Sequence, residues 1–241
     1  MQKLMPLGHF SASLYYLSFI LFGLSGAIVG PTLPSLAAQT NTQLDGISFL
    51  FIASALGFTL GALLSGRVFD RFSGHPVLTI ALLAMSLLLA LVPVTPWLWG
   101  LLLVMFLIGW MSSVIDVGSN TLIVWIYRHR VGPFLNGLHF AFGLGAFLAP
   151  LLVAQVIVVT GSFQWSFWLM ALLPLPIAVL LANIPSPRPA RNVQEKQTDE
   201  SNSAKLIVLI TAFFFLYTGS EVAFGNWIFT YATSLKLLDD T

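Results

Sequence analysis

The hydrophobic pattern divides the chain into long, continuously apolar stretches separated by short polar gaps. A helix that crosses the hydrocarbon of a bilayer needs about 20 mostly apolar residues, because the core is ~30 Å thick. Seven stretches meet this requirement, at residues 11–37, 46–66, 76–94, 97–127, 133–159, 163–184 and 205–235. Barrel strands would be about 10 residues long and would alternate polar with apolar side chains. The pattern therefore predicts an all-α membrane protein with seven transmembrane helices.

The composition supports this class and excludes others. Hydrophobic residues make up 57% of the chain and charged residues 8%, and the mean hydropathy is +0.91, far from the balance of a soluble domain. With a net charge of +1 and no cluster of Lys and Arg, the chain cannot replace the counterions of nucleic acid. Because it has no cysteine, disulfides and thiolate metal sites are excluded. We expect neither a metal nor a cofactor.

The basic residues predict the orientation, because Lys and Arg in short loops stay on the cytoplasmic side of a membrane. Nine of the ten precede the first stretch or lie in alternate gaps or at their edges, namely Lys3, Arg67, Arg71, Arg128, Arg130, Arg188, Arg191, Lys196 and Lys205. The intervening gaps hold none, and the tenth, Lys236, follows the seventh stretch. We therefore expect a multi-pass protein of the cell membrane, plasma or inner, with a cytoplasmic N-terminus.

A polar gap at residues 185–204 separates the first six stretches from the seventh. Its Pro, Ser, Gln and charged residues indicate a flexible cytoplasmic linker. At a fixed offset the first and seventh stretches are similar at four paired positions, Phe22 with Tyr217, Ser25 with Ser220, Gly30 with Gly225 and Leu33 with Ile228. This repeat resembles the parallel repeats of the major facilitator fold. We expect an N-terminal six-helix bundle at 1–184 and the first helix of a second bundle at 205–241, in a protein of roughly 400 residues whose C-terminal half is missing here.

The gap between the second and third stretches carries a motif. Residues 66–75 read G-R-V-F-D-R-F-S-G-H and resemble the G-x-x-x-D-R-x-G-R-K signature of the major facilitator superfamily. The signature residues present are Gly66, Asp70, Arg71 and Gly74. Ser73 is one residue more than the signature has, and His75 and Pro76 stand where its basic pair would be. The resemblance implies a gate latch at Asp70 and Arg71, through a charge-assisted hydrogen bond and a helix terminus. A solvated pair that only fixes topology is the alternative.

Three further segments resemble the sodium-dependent glucose transporter branch of this superfamily, which is a relative of the fucose and proton symporters. They are residues 116–121 in the fourth stretch, 132–150 in the fifth and 217–231 in the seventh. With the loop motif, the resemblance covers essentially the whole chain. It implies a secondary active transporter that takes up a monosaccharide with Na⁺ or H⁺ by alternating access, in contact with the lipid bilayer.

Asp116 and Glu221 are the only acids well inside the apolar stretches, where a charge costs ~3 kcal/mol on insertion scales. Such a cost indicates a function, and we interpret both as ion-coupling residues. Asp116 and Asn120 are four residues apart and share one helix face, so Asn120 is a candidate solute ligand. Each acid can hold a proton, coordinate a cation or accept a hydrogen bond from a sugar hydroxyl. The alternative is a protonated carboxyl bonded to neighbouring backbone.

A polar stripe in the fifth stretch and a pair in the seventh supply further candidate ligands. Asn136 and His139 are one turn apart, and such a stripe faces the bundle or a wet cavity rather than lipid. We predict that Asn136, His139 and Asn226 hydrogen-bond sugar hydroxyls and that Trp227 covers the apolar face of the ring. His139 can also join Asp116 in a proton relay. Helix packing of His139 and interfacial anchoring of Trp227 are the alternatives.

An enzyme is the remaining class to weigh. Residues 23–26 read G-L-S-G and match a rhomboid nucleophile pattern, but such a serine needs a His base within hydrogen-bond reach, and no known arrangement brings His139 near. The chain also lacks H-E-x-x-H and any Gly-rich nucleotide loop. We therefore predict a transporter and not an enzyme. A facilitator of another small polar solute, a solute sensor that carries nothing, and a truncated non-functional fragment are the alternatives.

Overall fold

The structure is a computed structural model that describes residues 5–188 and 200–235. Every regular element in these two ranges is an α-helix or a short 3-10 turn, which confirms the all-α prediction. The helices are α1 (Met5–Ala27), α2 (Val29–Gln39), α3 (Leu44–Ile47), α4 (Phe49–Arg71), α5 (Gly74–Leu91), α6 (Leu98–Tyr127), α7 (Gly132–Thr160), α8 (Gln164–Leu172), α9 (Pro174–Ala182) and α10 (Glu200–Ser234). The chain divides into two compact units, Met1–Arg188 and Pro189–Thr241, and α10 belongs to the second.

Six helical segments of the described ranges are long and apolar enough to cross a membrane. They are Gly8–Ala27, Leu44–Arg71, Gly74–Val94, Leu98–Arg130, Gly132–Thr160 and Gln164–Ala182, and they match the first six stretches predicted from the sequence. The seventh stretch lies in α10. That helix has 35 residues, but its apolar part, Leu206–Tyr217, is shorter than a span. The seventh transmembrane helix therefore stays a prediction.

Prolines interrupt the helical hydrogen bonding in the first and sixth apolar stretches. The first stretch is interrupted just after its span, between α1 and α2 at Ile28, and the sixth between α8 and α9 at Leu173. Pro31 and Pro174 follow these points and have no N–H to donate to the carbonyl one turn earlier. Ile28 and Leu173 nevertheless keep right-handed helical dihedrals. The helical hydrogen bonding is thus interrupted near Ile28 and Leu173, while the backbone at both residues stays helical.

Two pairs of helices in the first unit cross with their backbones in direct contact. Gly23 of α1 lies against the backbone of α7, and Gly145 of α7 lies against the backbone of α1. In the same way, Gly57 of α4 and Gly109 of α6 each lie against the backbone of the other helix. A Cβ at any of these four positions would overlap a carbonyl oxygen of the facing helix. Because small residues let membrane helices approach closely, these glycines determine the spacing of both pairs.

The other helices complete the bundle around these two crossings. α5 packs against α6, α8 and α9, and the Ser86 hydroxyl of α5 donates to the Ala171 carbonyl of α8. The spans of α4 and α7 are the least buried of the six, with 22% and 17% of their apolar windows covered, against 44–50% in the others. These two helices therefore carry the largest uncovered faces of the first unit.

Candidate functional site

The candidate site begins on α6, where Asp116 and Asn120 lie one helical turn apart. Asn120 Nδ2 donates to Asp116 Oδ1 at 2.9 Å and to the main-chain carbonyl of Asp116 at 3.0 Å. One amide nitrogen thus holds the carboxylate against its own helix, while the amide oxygen of Asn120 takes no part in either bond. Both side chains are half-buried. The pair therefore lies at the edge of the helix packing, where a solute or an ion can reach it.

The imidazole of His139 on α7 acts on this carboxylate from a second helix. The His139 ring lies close enough to the Asp116 carboxylate to interact with it electrostatically. The His139 ring also meets the buried ring of Phe19 on α1 edge-on, with centroids 6.2 Å apart. His139 is nevertheless exposed. The structure thus brings Asp116, Asn120 and His139 into one site that draws on α1, α6 and α7.

An uncovered stripe on α7 extends from His139 in both directions. Asn136 lies one turn earlier and is exposed, and Gly143, one turn later, has no atom within 4 Å of where a Cβ would stand. A stripe that faced lipid would leave its amide and imidazole groups unsatisfied, at a cost of several kcal/mol for each group. We infer that the stripe borders a hydrated cavity or another protein surface.

An aromatic cluster that the sequence analysis missed lies beside this site. Phe22 of α1 stacks on Phe58 of α4 with ring centroids 5.9 Å apart and an angle of 11°. The same ring is tilted against Phe142 of α7 at 4.7 Å. All three rings are half-buried, and Phe142 follows His139 by three residues. With 20 phenylalanines in the chain, that spacing alone could not single out Phe22, Phe58 and Phe142.

The gating loop, residues 66–75, contains both packed and exposed residues. Gly74 begins α5 against the Leu122 side chain of α6, which a Cβ would overlap. Asp70 and Arg71 are exposed, and neither side chain has a hydrogen bond or ion pair with a described residue. Gly66 lies one turn before Asp70 with no atom within 4 Å of its Cβ position. The latch contact predicted for Asp70 and Arg71 is therefore not made among the residues that the structure describes, and the role stays a prediction.

Three predicted site residues belong to α10, the helix of the second unit. Trp227 is partly exposed on this helix. The side chains of Glu221 and Asn226 are not among those that the structure describes. Their assigned roles remain predictions.

Six apolar spans, two of which carry a carboxylate, an amide and an imidazole, define a multi-pass helical membrane protein with polar groups inside its apolar spans. A family model described as Major Facilitator Superfamily matches residues 15–238. The chain belongs to the major facilitator superfamily. This confirms the family suggested by the gating loop, and the superfamily consists of transporters and not of enzymes.

Individual relatives agree with the branch suggested by the sequence. The chain is 30% identical to sodium-dependent glucose transporter 1 of Homo sapiens over 254 residues, which cover 90% of this chain and 49% of that one. It is 31% identical to the Xenopus laevis protein of the same name, with coverages of 86% and 48%. Major facilitator superfamily domain-containing protein 4A of Pongo abelii is 39% identical over 57% of this chain and 27% of its own. The chain spans about half the length of the glucose transporters it matches.

A solved structure supports the fold. The proton:xylose symporter XylE, bound to 6-bromo-6-deoxy-D-glucose, superposes with a TM-score of 0.64 at 18% identity, over 73% of this chain and 44% of that one. At this identity the similarity concerns the fold alone. It confirms the major facilitator architecture predicted for the chain.

Proposed function

We propose that the chain works as part of a secondary active transporter that takes up a monosaccharide together with Na⁺ or H⁺ by alternating access. The single observation that carries this proposal is the Asp116 carboxylate, which Asn120 holds and His139 influences within membrane-crossing helices. An ionisable group at that depth is costly and marks an ion or substrate pathway by default. Similarity to proteins named sodium-dependent glucose transporters supports the solute class and the coupling.

Each site residue then has a distinct task. Asp116 takes up the coupling ion, and Asn120 holds its carboxylate in place. The described residues include no group of three or more His, Asp or Glu that could hold a metal. A bound Na⁺ would therefore complete its oxygen ligands with carbonyl, hydroxyl or solute oxygens. His139 and Asn136 are placed to hydrogen-bond the solute's hydroxyls, since imidazole and amide groups both donate and accept.

The aromatic cluster is suited to the apolar side of a sugar ring. Small-molecule sites combine a few placed polar groups with hydrophobic and aromatic walls. Phe22, Phe58 and Phe142 lie beside His139 with their rings half-buried. We propose that they form this wall from the first unit. The roles predicted from the sequence for Trp227, Glu221 and Asn226 concern the second unit. They are proposed in addition to this aromatic wall.

The gating loop and the loop charges complete the proposal. Gly66 and Asp70 share an uncovered face at the end of α4, which leaves room for a latch contact there. The basic residues Arg67, Arg71, Arg128 and Arg130 favour a cytoplasmic position for these loops and for the N-terminus, in the cell membrane.

The test of this function is uptake into vesicles across a panel of radiolabelled hexoses, pentoses and acyclic polyols, with Na⁺ and pH varied independently. We expect a monosaccharide to accumulate under an inward gradient of one of the two cations and not of the other. Binding of the sugar without uptake would favour a sensor, and uptake of a non-sugar solute would favour a different facilitator; either result overturns the proposal.

The Asp116→Asn variant separates coupling from solute binding. Without an ionisable carboxyl, the cation gradient cannot be linked to the solute, so the internal-to-external sugar ratio should fall to about 1. Exchange of internal for external sugar should persist in part. Asp45→Asn is the matched control, because Asp45 is exposed and its carboxylate accepts only from the neighbouring Gly46 N–H in the described part of the chain. Undiminished accumulation in Asp116→Asn would remove Asp116 from the mechanism.

A further inference from the structure

A buried hydrogen-bonded chain begins at His75, the residue that stands where the family signature has a basic side chain. His75 is the second residue of α5 and is 1% exposed. Its Nε2 lies 2.6 Å from the hydroxyl of Tyr15 on α1, and its Nδ1 lies 3.1 Å from the Ile184 carbonyl just after α9. Its main-chain N–H donates to Ser186 Oγ at 3.2 Å. One residue therefore ties α5 to α1 and to the chain that leaves α9.

The partners determine which nitrogen carries the proton. A carbonyl oxygen can only accept, so Nδ1 of His75 donates to Ile184. In the neutral ring, Nε2 then accepts from the Tyr15 hydroxyl. Tyr15 is fully buried and has a second hydrogen bond, to the side chain of Ser11. No carboxylate is among these partners, so His75 does not act as the cation that the family signature has at this position.

The hydrogen bonds of His75 lie at the C-terminal end of the gating loop. Only Phe72 and Ser73 connect the end of α4 to the start of α5, so a shift of the α5 N-terminus moves Asp70 and Arg71. Gly74 holds that N-terminus against Leu122 of α6. His75 holds it against α1 and the end of α9. The two positions restrain the N-terminus of α5 from different sides.

We propose that the Tyr15–His75 pair is a positioning device for the gating loop and takes the place of the signature's basic pair. A neutral imidazole bonded to a tyrosine and a carbonyl fixes the loop by buried geometry instead of by surface charge. The name gating loop rests on the proposed transport function. The positioning of residues 66–75 by Tyr15 and His75 does not depend on that function.

The first test is a double-mutant cycle on the full chain in detergent. Tyr15→Phe removes only the hydroxyl, and His75→Asn keeps a donor near the Nδ1 position while it removes Nε2. We expect each variant to raise the equilibrium constant of unfolding about fivefold, the factor that one buried hydrogen bond contributes. The double variant should cost no more than either single one, because the partners act as a unit. Additive losses would overturn the pairing.

The second test measures the loop directly. The chain has no cysteine, so spin labels at Phe72→Cys and His129→Cys, both exposed positions, report one distance distribution. We expect Tyr15→Phe and His75→Asn to broaden or shift that distribution. Ser86→Ala is the matched control, because it removes a buried hydrogen bond of the same helix α5 far from the loop, and it should leave the distribution unchanged.

The outcomes separate the two proposals. An unchanged distribution in both pair variants, or equal broadening in Ser86→Ala, would overturn positioning by His75. If the parent protein takes up no solute, the transport proposal fails, while the distance measurement still decides the role of the pair. In a transporting parent, Tyr15→Phe should lower the initial uptake rate and Ser86→Ala should not.

Discussion

At the scale of single residues, the site depends on one amide that serves two acceptors. The side-chain nitrogen of Asn120 donates to the Asp116 carboxylate and to the main-chain carbonyl of the same residue. A hydrogen bond to an ionised group contributes about 1.5–3 kcal/mol, roughly twice a neutral one. The bond holds the carboxylate on α6 in one orientation, which suits the ion-binding role proposed for it. The amide oxygen is left to contact a solute.

Replacing Asn120 with the similarly shaped Leu should therefore weaken cation coupling more than folding. Loss of the bond to the carboxylate predicts a rise of about ten- to hundredfold in the cation concentration that gives half-maximal uptake. The measurement is the cation dependence of initial uptake at saturating sugar. Thr59→Val is the control, because the Thr59 hydroxyl donates only to the Ala55 carbonyl one turn earlier. An unchanged cation dependence in Asn120→Leu would mean that the amide does not prepare the carboxylate.

Part of this site could be predicted from the sequence because helix geometry is local. Residues four apart on a helix always share a face, so the Asp116 and Asn120 pair followed from spacing once the span was recognised. The approach of His139 to Asp116 required the packing of α7 near α6. The pairing of His75 with Tyr15 joins residues 60 positions apart, and no local rule indicates such a contact. A charged residue in an apolar span could be recognised from the sequence. Contacts between residues on different helices could not.

At the scale of helices, two crossings of the same kind organise the first unit. α1 meets α7 through Gly23 and Gly145, and α4 meets α6 through Gly57 and Gly109. Nested inverted repeats of three helices within each six-helix half are a feature of this superfamily. The first helix of one repeat, α1, then crosses the second helix of the other, α7. In the same way the second helix of the first repeat, α4, crosses the first helix of the other, α6. The two crossings are related in this way, which explains why reciprocal glycines occur in both.

A matched pair of glycines on α7 tests this packing. In Gly145→Ala the new methyl group would meet the backbone of α1, which cannot move as a flexible side chain would. Overpacking of this kind costs about 1–3 kcal/mol, or a fall of about 2–4 °C in melting temperature for each kcal/mol. In Gly143→Ala the methyl group enters open space, and no loss is expected. Thermal unfolding in detergent makes the comparison, and equal melting temperatures would show that close backbone contact does not hold this crossing.

The number and positions of the six spans were predictable because twenty apolar residues in succession have few other uses. The interruptions at Ile28 and Leu173 were less so. Proline weakens a helix at the preceding turn, yet Pro150 lies inside an unbroken α7. Whether a proline interrupts the helix depends on the neighbours that satisfy the freed carbonyl. The sequence alone does not contain this information.

At the scale of the whole molecule, the uncovered faces and the loop charges bear on the same question of how the protein sits in its membrane. The α4 and α7 spans are the least covered, and the polar stripe at Asn136 and His139 lies on one of them. Lipid is a poor neighbour for such a stripe. A hydrated pathway or another protein surface satisfies it better. We therefore propose that the solute pathway runs along this face of α7.

Orientation decides which end of this pathway the gating loop faces, and a cysteine-free chain allows a direct test. The loops at 66–75 and 128–131 hold Arg67, Arg71, Arg128 and Arg130, whereas the loops at 38–45 and 95–97 hold no basic residue. Basic residues resist transfer across the membrane. We expect single cysteines in the two basic loops to be cytoplasmic and those in the other two loops to be external.

Four single-cysteine variants at exposed positions, all of which keep every arginine, make the measurement. Asp45→Cys and Trp97→Cys should react with a membrane-impermeant maleimide on intact cells, and Phe72→Cys and His129→Cys only after permeabilisation. The reverse pattern would place the gating loop outside and would contradict a cytoplasmic latch at Asp70 and Arg71. Labelling of all four on intact cells would mean that the chain inserts in both directions, in which case the basic loops do not determine its orientation.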